Sequence, residues 1–348
     1  MDRELSARED GDLSGTLPDP ATLALAREPH IPVSVLTGFL GSGKTTLIRS
    51  LLSQPAFAGT AVVVNEFGEI GLDHLLVEAA VAEDTILLEG GCLCCATRGD
   101  LVRALRSLLD RRQRAELPPY RRVVVETSGL ADPAPILQTL MSDPLRLSRY
   151  RLASLTATLD AVLGVETLAR FDEARRQAAL ADRIVLTKAD LADESQKAAT
   201  LAAVHQFSTA PIVLASDVVT SEAGAGLLFS ATAGVDFGKR HEHHTHGAYA
   251  SVARSIDRPL AWPRVEAWLA ATLERCGSHL LRLKAVLAIE TERAPVALHA
   301  VQHVIHRPER LAAWPAGLTQ GRIVLIAEGL SPPVLDSMLD ALTASVPA

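Results

Sequence analysis

Cysteine is scarce: the 348 residues hold four, and three of them, Cys92, Cys94 and Cys95, fall within four consecutive positions. A disulfide framework needs cysteines spread along the chain, so this distribution excludes one and points to a metal or redox cluster in a reducing, cytoplasmic compartment. The sequence also lacks any apolar run of the roughly 18 residues that a membrane-spanning helix needs. Basic residues are in deficit, with 34 Lys and Arg against 41 Asp and Glu and a formal charge of -7. Nucleic-acid binding through phosphate neutralisation requires clustered Lys and Arg in excess, which excludes nucleic acid as the principal partner. Residues 1–30 carry seven acidic side chains against three arginines and no apolar central stretch. They fit neither a secretory signal nor a transit peptide and read as a flexible extension.

The rest is an ordinary globular balance, 48% apolar and 22% charged, with enough hydrophobic surface for a sizeable core and a length that predicts two domains. Short apolar or β-branched runs recur at Ile31–Thr37, Ala61–Val64, Thr85–Leu88, Arg122–Glu126, Leu152–Leu159, Arg183–Thr187 and Pro211–Ala215, with helical patterns between most of them. Such alternation predicts an α/β domain over 31–220 with a mostly parallel sheet flanked by helices. One predicted helix places Leu101, Leu105, Leu108 and Leu109 on a single stripe; another opens with Asp132 as N-cap and Pro133 at its first position. A Gly- and His-rich stretch, 221–248, containing His241-Glu242-His243-His244-Thr245-His246, reads as a linker, either solvated or collecting metal through imidazole. Beyond it, strands at Tyr249–Trp262, Leu283–Ile289, Val296–Ile305 and Ile323–Ala327 and helices at Pro263–Arg275 and Val334–Leu342 predict a smaller α+β domain, 249–348. Cys276, alone near a helix end among leucines, reads as packing.

Gly38-Phe39-Leu40-Gly41-Ser42-Gly43-Lys44-Thr45 matches the P-loop pattern, follows a predicted strand and opens a helix. Backbone N–H groups of Gly38, Gly41, Ser42 and Gly43 would turn inward around phosphate oxygens, with the helix N-terminus at Thr45 and Thr46 adding positive potential. Lys44 would place a point charge on the β/γ-phosphates, and the Thr45 hydroxyl would reach Mg²⁺. Glu126, a carboxylate at the end of a buried run, is the expected acidic partner for that Mg²⁺. Gly129, three residues on, could bring its N–H to the γ-phosphate and act as a switch point.

Thr187-Lys188-Ala189-Asp190 follows a late strand and is similar to the Asn-Lys-x-Asp guanine motif, with Thr in place of Asn. Asp190 can accept both guanine ring and exocyclic N–H protons, and the Lys188 stem can lie along the base. The shorter Thr187 predicts a weaker brace between this loop and the P-loop.

Cys92-Leu93-Cys94-Cys95 follows a strand and a Gly90-Gly91 turn, which lets several sulfurs converge. Thiolates select Zn²⁺, with Co²⁺ and Cu⁺ as alternatives, and disfavour Mg²⁺ and Ca²⁺. Three sulfurs leave a tetrahedral ion one ligand short, and Glu69 is the expected fourth. A redox thiol pair and simple buried cysteines are the other readings of the cluster.

Taken together, Gly38–Thr46, Asn65-Glu66-Phe67-Gly68-Glu69, Cys92–Cys95, Glu126-Thr127-Ser128-Gly129-Leu130-Ala131-Asp132-Pro133 and Thr187–Asp190 make the chain resemble the CobW-type GTPases, regarded as metallochaperones or metal-insertion proteins. The resemblance runs from about Val33 to the C-terminus. It implies that Asn65–Asp73 is a switch region, that the cysteine cluster holds metal more tightly in one nucleotide state, and that the last hundred residues are the family's C-terminal domain.

The expected function is then a slow GTPase that carries a transition metal to a client metalloprotein. The alternatives are an ATP- or GTP-dependent phosphotransferase with a structural thiolate site, and a non-catalytic binding module.

Overall fold

The computed structural model describes residues 30–64, 86–89, 98–141, 149–220, 242–246, 249–306, 308–315 and 318–344. Hydrophobic β-branched runs form the first sheet: β1 (Ile31–Gly38), β2 (Thr60–Val64), β3 (Ile86–Glu89), β4 (Arg122–Glu126), β5 (Tyr150–Asp160), β6 (Arg183–Thr187) and β7 (Ile212–Leu214). Their order is β3-β2-β4-β1-β5-β6-β7, and every pairing is parallel. A parallel sheet needs crossovers that cover both faces. On one face α1 (Lys44–Leu52) packs Leu47, Ile48, Leu51 and Leu52 against Leu36, Val62, Val64 and Val124. On the other lie α2 (Arg98–Gln113), where Leu101, Leu105 and Leu108 are buried with Leu109 beside them, α3 (Ala134–Met141), and α5 (Asp172–Leu180), which follows α4 (Gly164–Arg170).

Four neighbouring strands, β4, β1, β5 and β6, deliver Glu126, Gly38, Asp160 and Thr187 to the carboxyl edge of the sheet, where open α/β sheets bind ligands. Glu89 and Glu126 stand level there, each paired with Val64 of β2. Two further α-helices among the described residues of this part are α6 (Glu194–Val204), whose N-terminus carries an Asp193/Gln196 capping box, and α7 (Ala215–Thr220).

The second sheet is antiparallel: β8 (Glu242–His246), β9 (Tyr249–Ile256), β10 (Leu280–Leu287), β11 (Val296–Val301), β12 (Val304–Ile305), β13 (Glu309–Arg310) and β14 (Gly321–Glu328), in order β12-β11-β10-β14-β9-β8 with β13 on β11. Side chains alternate between its faces. Ile323, Leu325 and Ala327 point to α8 (Trp262–Cys276) and α9 (Pro332–Thr343), whereas Val324 and Ile326, with Tyr249, Leu281 and Val301, join Leu137, Leu140, Met141 and Tyr150 of the first sheet's layer in one core. Each fully buried side chain of this size contributes about 1.5–3 kcal/mol. Cys276 is buried in the α8/α9 core with Sγ 3.2 Å from Met338 Sδ, a packing position.

Three expectations are corrected. The strand expected at Tyr249–Trp262 stops at Ile256: Pro259 has no N–H for a ladder, and Trp262 and Pro263 already open α8. The strand expected at Val296–Ile305 is a hairpin, broken at Gln302, which takes a left-handed φ of 52° so that Val301 pairs with Val304. Within the stretch read as linker, Glu242–His246 is a strand paired antiparallel to β9, from Glu242 opposite Ala253 to His246 opposite Tyr249. Among the described residues no helix is long and apolar enough to cross a membrane.

Candidate nucleotide site

At the end of β1 the chain turns through Phe39–Gly43 and enters α1 directly. Ser42 N–H donates to Phe39 O (3.1 Å), Leu47 N–H to Gly43 O (2.9 Å), and Gly41 and Gly43 sit at φ 69° and 90°. Side chains hold the loop from below: the hydroxyls of Ser42 and Thr158, both buried, lie 2.6 Å apart. Lys44 Nζ donates to Gly38 O (2.9 Å) and Phe39 O (3.2 Å), so its ammonium spans the loop. Thr46 is exposed on the first turn of α1.

Thr45 Oγ1 donates to Glu126 Oε1 at 2.9 Å, joining the first turn of α1 to the end of β4. Glu126 is 4% exposed, which makes this carboxylate a strong claimant for a cation. A hydroxyl and a carboxylate are the hard oxygen donors that Mg²⁺ prefers, so the pair fits that ion. The chain continues through Thr127, whose hydroxyl donates to Thr37 Oγ1 (2.9 Å), to Gly129, which abuts the P-loop: a β-carbon there would lie 2.7 Å from Leu40 N. The loop closes on α3, where Asp132 Oδ1 accepts from Ala134 N–H (2.9 Å) as a helix cap. Gln177 of α5, fully buried, donates to both Gly129 O (3.1 Å) and Ala131 O (3.0 Å).

On the other side, the Thr187 hydroxyl shares its proton between Ser42 O (2.7 Å) and Leu159 O (3.1 Å). The brace expected between this loop and the P-loop is present as a direct bond: the short side chain sits close enough to reach the P-loop itself. Lys188, at φ 54°, places Nζ 2.6 Å from Asp160 Oδ2, and Asp160 Oδ1 accepts from the N–H groups of Val162 (2.8 Å) and Leu163 (3.1 Å). Burial pushes the Asp160 carboxyl up, but Lys188 and those two N–H groups outweigh it and hold the group below its ordinary range. Asp190 is exposed at the mouth of the turn closed by Leu191 N–H to Lys188 O (3.0 Å). A cavity of about 100 Å³ lies beside the P-loop, lined by Phe39, Ser42, Asp160, Gln177 and Lys188 among others.

Three of these residues escape the sequence reading. Asp160 carries a usable signal, an acidic residue ending a buried strand just as Glu126 does; Thr158 and Gln177 carry none, since their partners lie on distant segments. Cys92, Cys94, Cys95 and Glu69, like the expected switch region Asn65–Asp73, lie outside the described residues. Among the described residues no group of three or more His, Cys, Asp or Glu could hold a metal ion.

A parallel sheet with a P-loop at the carboxyl end of its central strand, an adjacent Thr–Glu pair and a Lys-x-Asp turn defines a P-loop nucleotide-binding protein. Residues 32–213 match the family model for the CobW/HypB/UreG nucleotide-binding domain, and residues 249–343 that of the cobalamin synthesis protein cobW C-terminal domain. The chain belongs to the CobW/HypB/UreG family. It is 34% identical over 283 residues to the zinc chaperone YjiA of Escherichia coli, covering 79% of this chain and 87% of that protein. To the zinc chaperone CobW of Pseudomonas aeruginosa it is 30% identical over 300 residues, covering 74% and 77%. The crystal structure of Zn(II)-bound YjiA GTPase from E. coli superposes with a TM-score of 0.64 at 27% identity, over 90% of this chain and 99% of that one.

Proposed function

We propose that this chain is a GTP-hydrolysing metallochaperone, with 31–220 as the GTPase domain, 221–248 joining it to a C-terminal domain at 249–348, and 1–30 as an extension. The observation that carries the reading is the Thr45–Glu126 bond at the P-loop, on the sheet edge where Asp190 and Thr187 also lie. Gly38, Gly41, Ser42, Gly43, Lys44 and Thr46 receive the phosphates; Lys188 and Asp190 select guanine; Thr45 and Glu126 hold Mg²⁺, which when bound neutralises charge on the phosphate oxygens. Gly129, packed against Leu40 of the P-loop, brings its N–H to the γ-phosphate.

The cargo is a transition metal, zinc or cobalt, held by Cys92, Cys94, Cys95 and Glu69 and passed to a client metalloprotein in the cytoplasm. Two facts support zinc: similarity to proteins named zinc chaperones, and a Zn(II)-bound structure of one of them. Chain connectivity supports coupling, since β3 ends at Glu89, level with Glu126 across β2, three residues before Cys92.

The deciding experiment titrates Zn²⁺ or Co²⁺ into reduced protein with Mg²⁺ and either GTP or GDP. Metal binding should be tighter with one nucleotide, GTP affinity should change by the same factor when metal is present, and Cys94→Ser and Cys95→Ser should abolish stoichiometric binding. Equal metal affinity in both nucleotide states rejects the coupling, and ATP preference with transfer to an acceptor favours a phosphotransferase.

A further inference from the structure

We infer that Arg176 and Glu328 are positioning residues for the loop Gly129–Asp132, through which the C-terminal sheet sets the response of that loop to the γ-phosphate. The inference rests on the proposed function for the role of the loop and on the geometry below for the link.

Two adjacent residues of α5 hold the loop in different ways. Gln177 takes the carbonyls of Gly129 and Ala131, and Arg176 Nη1 donates to Asp132 Oδ2 at 3.3 Å. The other oxygen of Asp132 caps α3, so this carboxylate fixes the point at which the loop becomes helix. Arg176 is itself divided: its Nη2 donates to Glu328 Oε2 at 3.0 Å, on the last residue of β14. Glu328 is rigidly placed, paired with Tyr249 across the ladder and with its carbonyl 2.9 Å from His279 Nδ1.

The far end of α5 is tied to the same sheet. Two residues past the helix, Asp182 accepts from Arg282 (2.8 Å) and Lys284 of β10, the strand next to β14. Its second oxygen takes the Leu155 N–H (2.7 Å). Helix α5 is therefore fastened to the C-terminal sheet at its midpoint through Arg176 and just past its C-terminal end through Asp182, while Gln177, next to Arg176, grips the loop. Interdomain attachment alone would need only the Glu328 half of the Arg176 contact. The Asp132 half serves the loop, and a shift of Gly129 or Ala131 on γ-phosphate binding must either carry α5 with it or strain these bonds. By reciprocity, whatever pulls on the C-terminal sheet alters the preference of the loop for GTP over GDP.

The test compares full-length wild type, Glu328→Gln, Arg176→Met and the double variant, with Arg176→Lys as the conservative control. Amide exchange in nucleotide-free protein is read first, because it needs no nucleotide chemistry. Exchange at Gly129–Asp132 should rise about fivefold in either single variant and no further in the double, while protection in β10, β11 and β14 stays at wild type, showing intact folding. The ratio of affinities for a non-hydrolysable GTP analogue and GDP should then change about three- to tenfold, chiefly through the GTP analogue, with partial rescue by Arg176→Lys. Wild-type loop exchange and an unchanged ratio in Glu328→Gln would overturn the inference. If the wild type binds no nucleotide, the proposed function fails, and the exchange measurement still decides the link.

Discussion

Gly129 and Leu40 meet at a separation that admits no side chain on the glycine: a β-carbon at residue 129 would fall 2.7 Å from the Leu40 backbone nitrogen and 2.8 Å from its α-carbon. Backbone cannot yield as a flexible side chain does. Gly129→Ala should displace the P-loop and weaken binding of a fluorescent GTP analogue by at least about tenfold, since tenfold corresponds to about 1.4 kcal/mol and overpacking typically costs about 1–3 kcal/mol. A titration within twofold of wild type would show that the contact is not maintained in solution.

The Thr187 brace makes a graded prediction. Thr187→Val keeps the shape but removes the donor to Ser42 O, at a net loss of about 1 kcal/mol, or roughly fivefold in nucleotide affinity. Thr187→Ser keeps the hydroxyl and should bind like wild type. Calorimetric titration with GDP distinguishes the two, and equal behaviour of Val and Ser would assign the position to packing alone.

Base selection is assigned to Asp190. Replacing its carboxylate by an amide removes a charge-assisted double acceptor, so Asp190→Asn should lower GTP affinity by about ten- to a hundredfold. The same amide can donate to the carbonyl that xanthine carries in place of the guanine amine, and binding of xanthosine triphosphate should rise. Competition between the two nucleotides measures both changes.

All three tyrosines, Tyr120, Tyr150 and Tyr249, are buried and have phenols shifted upward. Burial is the largest cause in each. The Tyr120 hydroxyl, 2.5 Å away, adds to it for Tyr150, and the Glu328 carboxylate helps push Tyr249 up to about 12. The unfolded chain loses these protons near pH 10 while the folded protein keeps them, so this contribution to stability is whole below about pH 10 and declines as the pH rises further. Absorbance at 295 nm should show less tyrosinate at pH 10 in the native protein than in guanidinium chloride, where about half is ionised.

Legibility in the sequence follows the range of the interaction. The P-loop is readable because its amides, glycines and Lys44 act within eight residues, and β4 because Val123–Val125 is an uninterrupted β-branched run ending in Glu126. The end of β9 is overshot because Leu260–Trp262 continues the apolar pattern after Pro259, though the backbone has already turned. β8 is misread because Glu242–His246 has a composition with little strand preference and becomes a strand only by pairing with β9. Thr158, Gln177 and Arg176 meet partners 44 to 152 residues away, and no local pattern records such contacts.

The core that runs from Met141 and Tyr150 to Val324 and Ile326 belongs to neither sheet alone. Cutting the chain after Thr220 would bare that greasy seam on both fragments, and a chimera taking its C-terminal half from a relative would inherit a mismatched surface unless the α3 face were exchanged with it. Heating should melt the intact protein in a single cooperative step, with the two halves surrendering their order together.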